Sequence, residues 1–326
     1  MKIVAMFGVI CLHCNVHYQS YILASLLFKC AVVSIPLFFM VSGYLMASKQ
    51  VLDADYCLKK IKGILKFTIG FSLIVYLMHA FNHKTFGMLS MMEQTLGSLL
   101  QKGRMGIFWY FGAMIFIYAM LPMLQKKIVR KKLSVLIKIG GVVLITVFFL
   151  NVFVGIKLGQ PFESFIIQSF RLWNWLFYFL LGFYWRQNEN VVKRNGIIWI
   201  LALLFVCNYL QQVFLNPYMS TMLCEFYYSS PIVILTVGII FEKIKAIHIS
   251  SNGKIYRLIR EFSSLFLPVY AFHMFVISYS HSLIDSIYFY CGNLSPLIVC
   301  MYVSMVSLII SFAVMRIPII NRFLKI

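Results

Sequence analysis

Ten stretches of the chain are apolar for close to the ~20 residues that an α-helix needs to cross a bilayer. They cover residues 3–22, 28–48, 63–82, 106–125, 134–155, 172–187, 196–215, 226–242, 263–281 and 297–317. Two carry polar interruptions. The first contains His13, Asn15 and His17, and the eighth holds Glu225 at its start and Pro231 inside. The loops are not rich in Gly, Ser or Pro, and no internal repeat stands out. The pattern predicts an all-α, polytopic membrane bundle of about ten transmembrane helices. Residues 1–326 read as a single membrane domain with no soluble appendage. Between His83 and Met105, Met88, Leu89, Met92, Leu96 and Leu99 recur at helical spacing. That spacing predicts an amphipathic helix on the outer surface or a cap over a site.

The loops orient the bundle. With the N-terminus inside, the inner face collects Lys2, Lys49, Lys59, Lys60, Lys62 and Lys66, then Lys126, Lys127, Arg130, Lys131, Lys132 and Lys138. It goes on to collect Arg186, Lys193, Arg194, Lys243, Lys245, Lys254, Arg257, Arg260, Arg316, Arg322 and Lys325. Only Lys29, Lys84, Lys102, Arg104, Lys157 and Arg171 fall outside. Counting the acidic groups, the inner face is +18 and the outer face +2, out of a total of +20. A missed or invented span would scramble this positive-inside alternation, so both termini are expected in the cytoplasm.

Composition agrees. Hydrophobic residues make up 62% and charged residues 12%, and the mean hydropathy is +0.88. Soluble domains have about 25% charged residues, so an ordinary cytosolic enzyme, a disordered protein and a disulfide scaffold are excluded. The net charge belongs to loops rather than to a nucleic-acid surface. The eight cysteines are scattered, and their one CxxC pair, Cys11-Leu12-His13-Cys14, is too isolated for a zinc site, which reads as buried free thiols and no metal site. A signal peptide at the start is disfavoured, because no small-residue cleavage site follows. The bulky His13 argues against a lipoprotein reading at Cys14.

Ionisable groups inside a membrane are costly and by default functional. His13 follows Lys2 by eleven residues. Eleven steps of 100° end about 20° past three full rotations, so the two share a helix face, about 16 Å apart along the axis. This arrangement suits a long ligand threaded along the helix with an anion held at the inner edge. The plainer alternative is that Lys2 anchors the helix end and His13 bonds a neighbouring helix. Ser42 and Gly43, in Ile35–Tyr44, are small enough for close approach of a cofactor or of another helix. Trp109-Tyr110-Phe111, with Tyr118 and Pro122 behind, suits an interfacial aromatic belt and a kink. Leu181-Gly182 and Tyr270-Ala271-Phe272-His273 complete the set, His273 being a second intramembrane histidine. A Ser-His-Asp triad has only Asp285, on the outer side, as a third member. No histidine is followed by Asp five positions on, and no phosphate-binding loop or dinucleotide fingerprint occurs. A lone histidine acting as base or transient acyl carrier, with basic groups for an anion, remains.

These segments resemble the acyltransferase-3 family of integral membrane acyltransferases. Lys2 to His13 is similar to that family's first helix, with a basic residue, ten intervening residues and a histidine. Phe38-Phe39-Met40-Val41-Ser42-Gly43 resembles its Phe-Phe-x-x-Ser-Gly motif. Trp109-Tyr110 with Tyr118 and Pro122, the Leu-Leu-Gly of helix six and the Tyr-x-x-His of helix nine also resemble family motifs. The resemblance implies an acyl-CoA donor, usually acetyl-CoA, entering from the cytoplasm of a bacterium whose inner membrane holds the protein. It implies an acceptor hydroxyl on a surface polysaccharide, such as capsule or lipopolysaccharide, or on its lipid-linked precursor. His13 becomes the catalytic histidine, and Lys2, Ser42, Gly43, Lys59, Lys60 and Lys62 become donor-binding residues. Trp109 and His273 fall on the acceptor side.

Lys2 stands where the family usually has Arg, which keeps the charge but loses the planar fork that grips phosphate bidentately. Lys59, Lys60 and Lys62 likewise replace Arg, and positive-inside loop charge explains them equally well. Some relatives carry an extra extracytoplasmic domain that delivers the acyl group. Here the acceptor is expected to be modified directly or through a separate partner. A polysaccharide or small-molecule transporter is the rival reading, disfavoured by the lack of an inverted-repeat signal and by the scarcity of intramembrane acids for ion coupling.

Overall fold

The computed structural model describes residues 1–14, 20–49, 52–81, 88–103, 105–124, 132–188, 197–218, 223–247, 249 and 253–324. Among them all regular structure is helical, and each of the ten apolar runs is helical over at least part of its length. Five runs are long and apolar enough to cross a membrane: Ile22–Ala47, Gly106–Met123, Leu133–Leu158, Ile198–Leu215 and His281–Met315. A sixth is added if Lys254–Ser264 and Phe266–Tyr279, bent by 62° at Leu265, form one broken span.

The helices are α1 (Lys2–Cys14), α2 (Ile22–Cys30), α3 (Ser34–Ala47), α4 (Ala54–Phe81) and α5 (Met88–Ser98). They continue as α6 (Trp109–Leu124), α7 (Leu133–Leu158), α8 (Leu172–Gln187), α9 (Ile197–Leu215) and α10 (Pro231–Lys245). The last five are α11 (Lys254–Ser264), α12 (Phe266–Tyr279), α13 (His281–Cys291), α14 (Ser295–Met315) and α15 (Pro318–Leu324). With 13 residues, α1 is about 20 Å long at 1.5 Å per residue. Residues 15–19 of its expected span lie outside the described residues, and Ile22, the last residue of that span, already opens α2.

Four boundaries differ from the expected spans for local reasons. The second run begins at Ile22, because Ile22–Phe28 continues the apolar stretch and Lys29 is folded inward. A 3₁₀ turn at Ala31–Val33 joins α2 to α3. Beside it, the Lys29 carbonyl accepts from Asn208 Nδ2 at 2.9 Å and Gln212 Nε2 at 3.1 Å. Pro231 opens α10 rather than interrupting a helix, in the first-turn position where its missing N–H costs nothing. Ser230 caps that helix by accepting from the Ile232 N–H. The ninth run breaks at Leu265 into the amphipathic α11, which has no buried residue, and the apolar α12. The tenth run is preceded by α13, so its apolar stretch starts at His281. On the outer segment α5 is helical, but Met92 and Leu96 remain exposed while Thr95, Ser98 and Leu99 are buried.

The centre of the bundle is the α3–α8 crossing. Phe39 stacks on Trp175 at 4.7 Å between ring centroids, and Arg186 Nη1 donates to Tyr44 Oη at 3.0 Å, so the two helices run parallel. A Cβ on Gly43 would lie 1.9 Å from the Phe179 carbonyl oxygen, and one on Gly182 would lie 1.9 Å from that of Met40. Only glycine at both positions allows this backbone approach. Helix α1 lies against α3, α12 and α14, α4 against α6 and α15, and α7 against α8.

Candidate active site

Helices α1 and α12 run side by side in the same direction. At their starts, Lys2 Nζ lies 5.8 Å from the Phe266 ring centroid. Further along, the His13 and His273 rings are 5.2 Å apart and tilted by 46°. Phe266 and His273, seven residues apart, likewise share one face of α12, about 10 Å apart along its axis.

His273 is fully buried. Its Nδ1 lies 2.6 Å from the Tyr270 carbonyl, which accepts only, so Nδ1 carries the proton and Nε2 keeps its lone pair. That Nε2 is buried without a hydrogen-bond partner among the described residues. Tyr270 is itself fixed, because its hydroxyl donates to the Ile107 carbonyl. A backbone carbonyl therefore orients one imidazole, whose acceptor is unfilled and whose ring lies 5.2 Å from the second. His13 makes no hydrogen bond among the described residues and is only half-buried as a residue.

At the Lys2 end two cavities adjoin. The narrower, about 180 Å³, is lined by Lys2, Lys60, Phe38, Ser42, Tyr110 and Tyr118 among others. The wider, about 590 Å³, has Lys2, Glu261, Ser264, Phe312, Arg316 and Asn321 on its wall. Lys2, Phe266 and Leu267 line both. Ser42 Oγ and Tyr110 Oη are 3.2 Å apart across the narrow cavity. Burial and the Lys60 charge push the Lys2 ammonium below its usual range. Lys60 is lowered by burial first, then by Lys49 and Lys59. Two cations partly withdrawn from water, without a carboxylate on this wall, leave positive potential in a low-dielectric slot, where an anion gains more than at the surface.

The expected donor and acceptor residues are thus not brought together as one set. Lys2, Ser42 and Lys60 share the narrow cavity. Lys59 and Lys62 are exposed one helix face away and line neither cavity. Gly43 turns toward α8 instead of the cavity, because helix period separates it by about 100° from Ser42. Trp109 is 8% exposed. It packs against Trp175 at 4.9 Å and Phe39 at 6.4 Å, so its ring faces are inside the aromatic core, where a sugar has no access.

A second polar centre, invisible to span-by-span reading, lies at the far end of the bundle from Lys2. The Glu163 carboxylate, fully buried, accepts from Asn151 Nδ2 at 2.8 Å, Trp173 Nε1 at 2.7 Å and Asn174 Nδ2 at 2.7 Å. Its own N–H donates to Asn151 Oδ1 at 2.9 Å. Burial pushes its carboxyl up, against the pull of Arg171 and these donors. Arg171 lies 3.5 Å from Glu225, to which Gln168 Nε2 also donates. The signal available in sequence was the clustering of Glu163, Gln168 and Arg171 between two apolar runs, with Asn174 at the start of the second.

No group of three or more His, Cys, Asp or Glu among the described residues is placed to hold a metal ion. The arrangement offers base chemistry on an imidazole and electrostatic capture of an anion about 16 Å along α1 from it. No curated protein and no solved structure matches the chain significantly. The sequence profile of one family, described as an acyltransferase domain, matches residues 1–316, so the chain belongs to the acyltransferase-3 family and is a membrane acyltransferase.

Proposed function

We propose that this protein is a multi-pass O-acyltransferase of a bacterial inner membrane. It moves an acyl group, acetyl in the first instance, from acyl-CoA to a hydroxyl of a surface polysaccharide or of its lipid-linked precursor. The observation that carries this reading is the imidazole pair His13–His273 set above a cationic cavity whose wall includes Lys2. In the same reading ten helices cross the bilayer with both termini cytoplasmic, which the loop charges support. The donor then enters at the Lys2 end.

His13 is the catalytic base. As the acceptor oxygen attacks the thioester carbon, its proton passes to His13. The carbon–sulfur bond breaks, and the departing thiolate takes that proton back, leaving free CoA and the ester. His273 is a positioning residue. Its Nε2 lone pair accepts the distal N–H of His13 when the rings close together, holding His13 in the tautomer that presents a lone pair to the acceptor. Tyr270 fixes His273 in turn, much as a carboxylate fixes a triad histidine. Replacing His13 by Ala should abolish O-acyl groups on the host's surface glycan, read by NMR, while the protein still inserts. A normally acylated glycan in that variant overturns the assignment.

A further inference from the structure

We propose that the 590 Å³ cavity seats the nucleotide end of the acyl donor, with Arg316 and Lys2 on its phosphates, and that the narrow cavity takes only the donor's flexible arm. The proposal rests on the acyl-CoA reading above.

Size divides the two chambers. Sites for compact organic ligands occupy about 300–1,000 Å³. The cavity of about 590 Å³ falls in that range, and the one of about 180 Å³ falls below it. A nucleotide is excluded from the second, whereas an unbranched chain fits. Both share Lys2, Phe266 and Leu267, so one ligand can occupy both with its bend at Lys2.

Chemistry divides them in the same way. The narrow wall is mostly aromatic and aliphatic, with Lys60, Ser42, Tyr110 and Tyr118 as its polar groups besides Lys2. The wide wall carries a guanidinium, an amide, two hydroxyls and a carboxylate in addition to Lys2. The Arg316 guanidinium lies 4.3 Å from the Phe312 ring centroid, which holds its plane while leaving N–H edges for a phosphate. Asn321, Ser263, Ser264 and Glu261 supply acceptors and donors for a base and ribose. The break at Leu265 builds this wall, because it turns the end of α11 across the start of α12. Arg316 thus takes the phosphate role that Lys59 and Lys62, lining neither cavity, leave open. An inner-leaflet lipid phosphate shares this chemistry, and the test separates the two sources.

The experiment uses the full chain in phosphatidylcholine nanodiscs and measures affinity for CoA and for adenosine 3′,5′-bisphosphate, which has the nucleotide but not the arm. The wild type should bind both. Arg316→Gln should weaken both at least tenfold. Ser264→Phe, which fills the chamber without removing a charge, should do the same. Lys60→Gln should weaken CoA while leaving the bisphosphate within twofold. Wild-type affinity for both probes in Arg316→Gln and Ser264→Phe overturns the nucleotide seat. So does displacement of the bisphosphate by added phosphatidylglycerol but not by CoA. A wild-type chain that binds neither probe removes the acyl-CoA reading itself, an outcome distinct from the other two.

Discussion

The Glu163 carboxylate and the His273 imidazole are both withdrawn from solvent, but three side chains donate to the first and nothing described meets the second at Nε2. A buried polar group costs free energy unless it is hydrogen-bonded. At the far end of the bundle that cost is offset for the carboxylate by Asn151 on α7 and by Trp173 and Asn174 on α8, although Gln168 Oε1, Arg171 Nη1 and Asn174 Oδ1 beside it have no partner among the described residues. Beside Lys2 and the histidines it is left open, to be met by a second ring or a ligand. The Glu163 carboxylate is fully bonded within the fold, whereas His273 Nε2 is left open in a ring 5.2 Å from a second imidazole.

The largest expected effect comes from breaking the Glu163 centre. Glu163→Ala strands Trp173 Nε1 and Asn174 Nδ2 and leaves Asn151 Nδ2 only the Phe226 carbonyl, and with ~1–3 kcal/mol for each buried group left unpaired the loss should be about 3 kcal/mol or more. Thermal unfolding in detergent should show it, and the protein that survives should keep wild-type donor affinity. Next is His273→Leu, which keeps the bulk but removes both nitrogens. We expect kcat to fall about 100-fold, the low end of general-base contributions, with donor KM and thermal stability little changed. His273→Gln, whose amide oxygen can accept from His13, should recover about tenfold of that loss. Equal loss in both variants would reduce His273 to packing. The smallest effect belongs to Lys2. Lys2→Ala should raise donor KM about tenfold, in keeping with ~1.5–3 kcal/mol for a charge-assisted bond to phosphate, whereas Lys2→Arg should hold it within about twofold. An unchanged KM in Lys2→Ala would remove the phosphate role.

The histidine end was more legible in sequence than the Glu163 end. Lys2 and His13 sit on one helix, so the 3.6-residue period alone relates them, and His273 stood out because imidazoles are scarce in apolar runs. What period cannot report is which face meets which neighbour. Ser42 and Gly43 are adjacent in sequence, yet one borders the cavity and the other meets α8. Trp109 has the composition of an interfacial residue but sits between other aromatic rings. The helices were legible as apolar runs. Their ends were not, where Pro231 opens a helix and Leu265 breaks one, because both depend on turn geometry rather than on hydropathy. Glu163 was hidden for the opposite reason. An acidic residue in a loop reads as solvated until donors from the two flanking helices are seen to close over it.

The reciprocal contact of Gly43 and Gly182 has a consequence for how this chain can diverge. Each glycine faces a main-chain oxygen, which no substitution on the partner helix can shorten or move aside. A side chain gained at one position therefore has no compensating change at the other. Among homologues that keep this crossing, the two sites should each be held independently and show no correlated drift, in contrast to the neighbouring aromatic contacts, where a larger ring on one helix can be traded for a smaller one on the other.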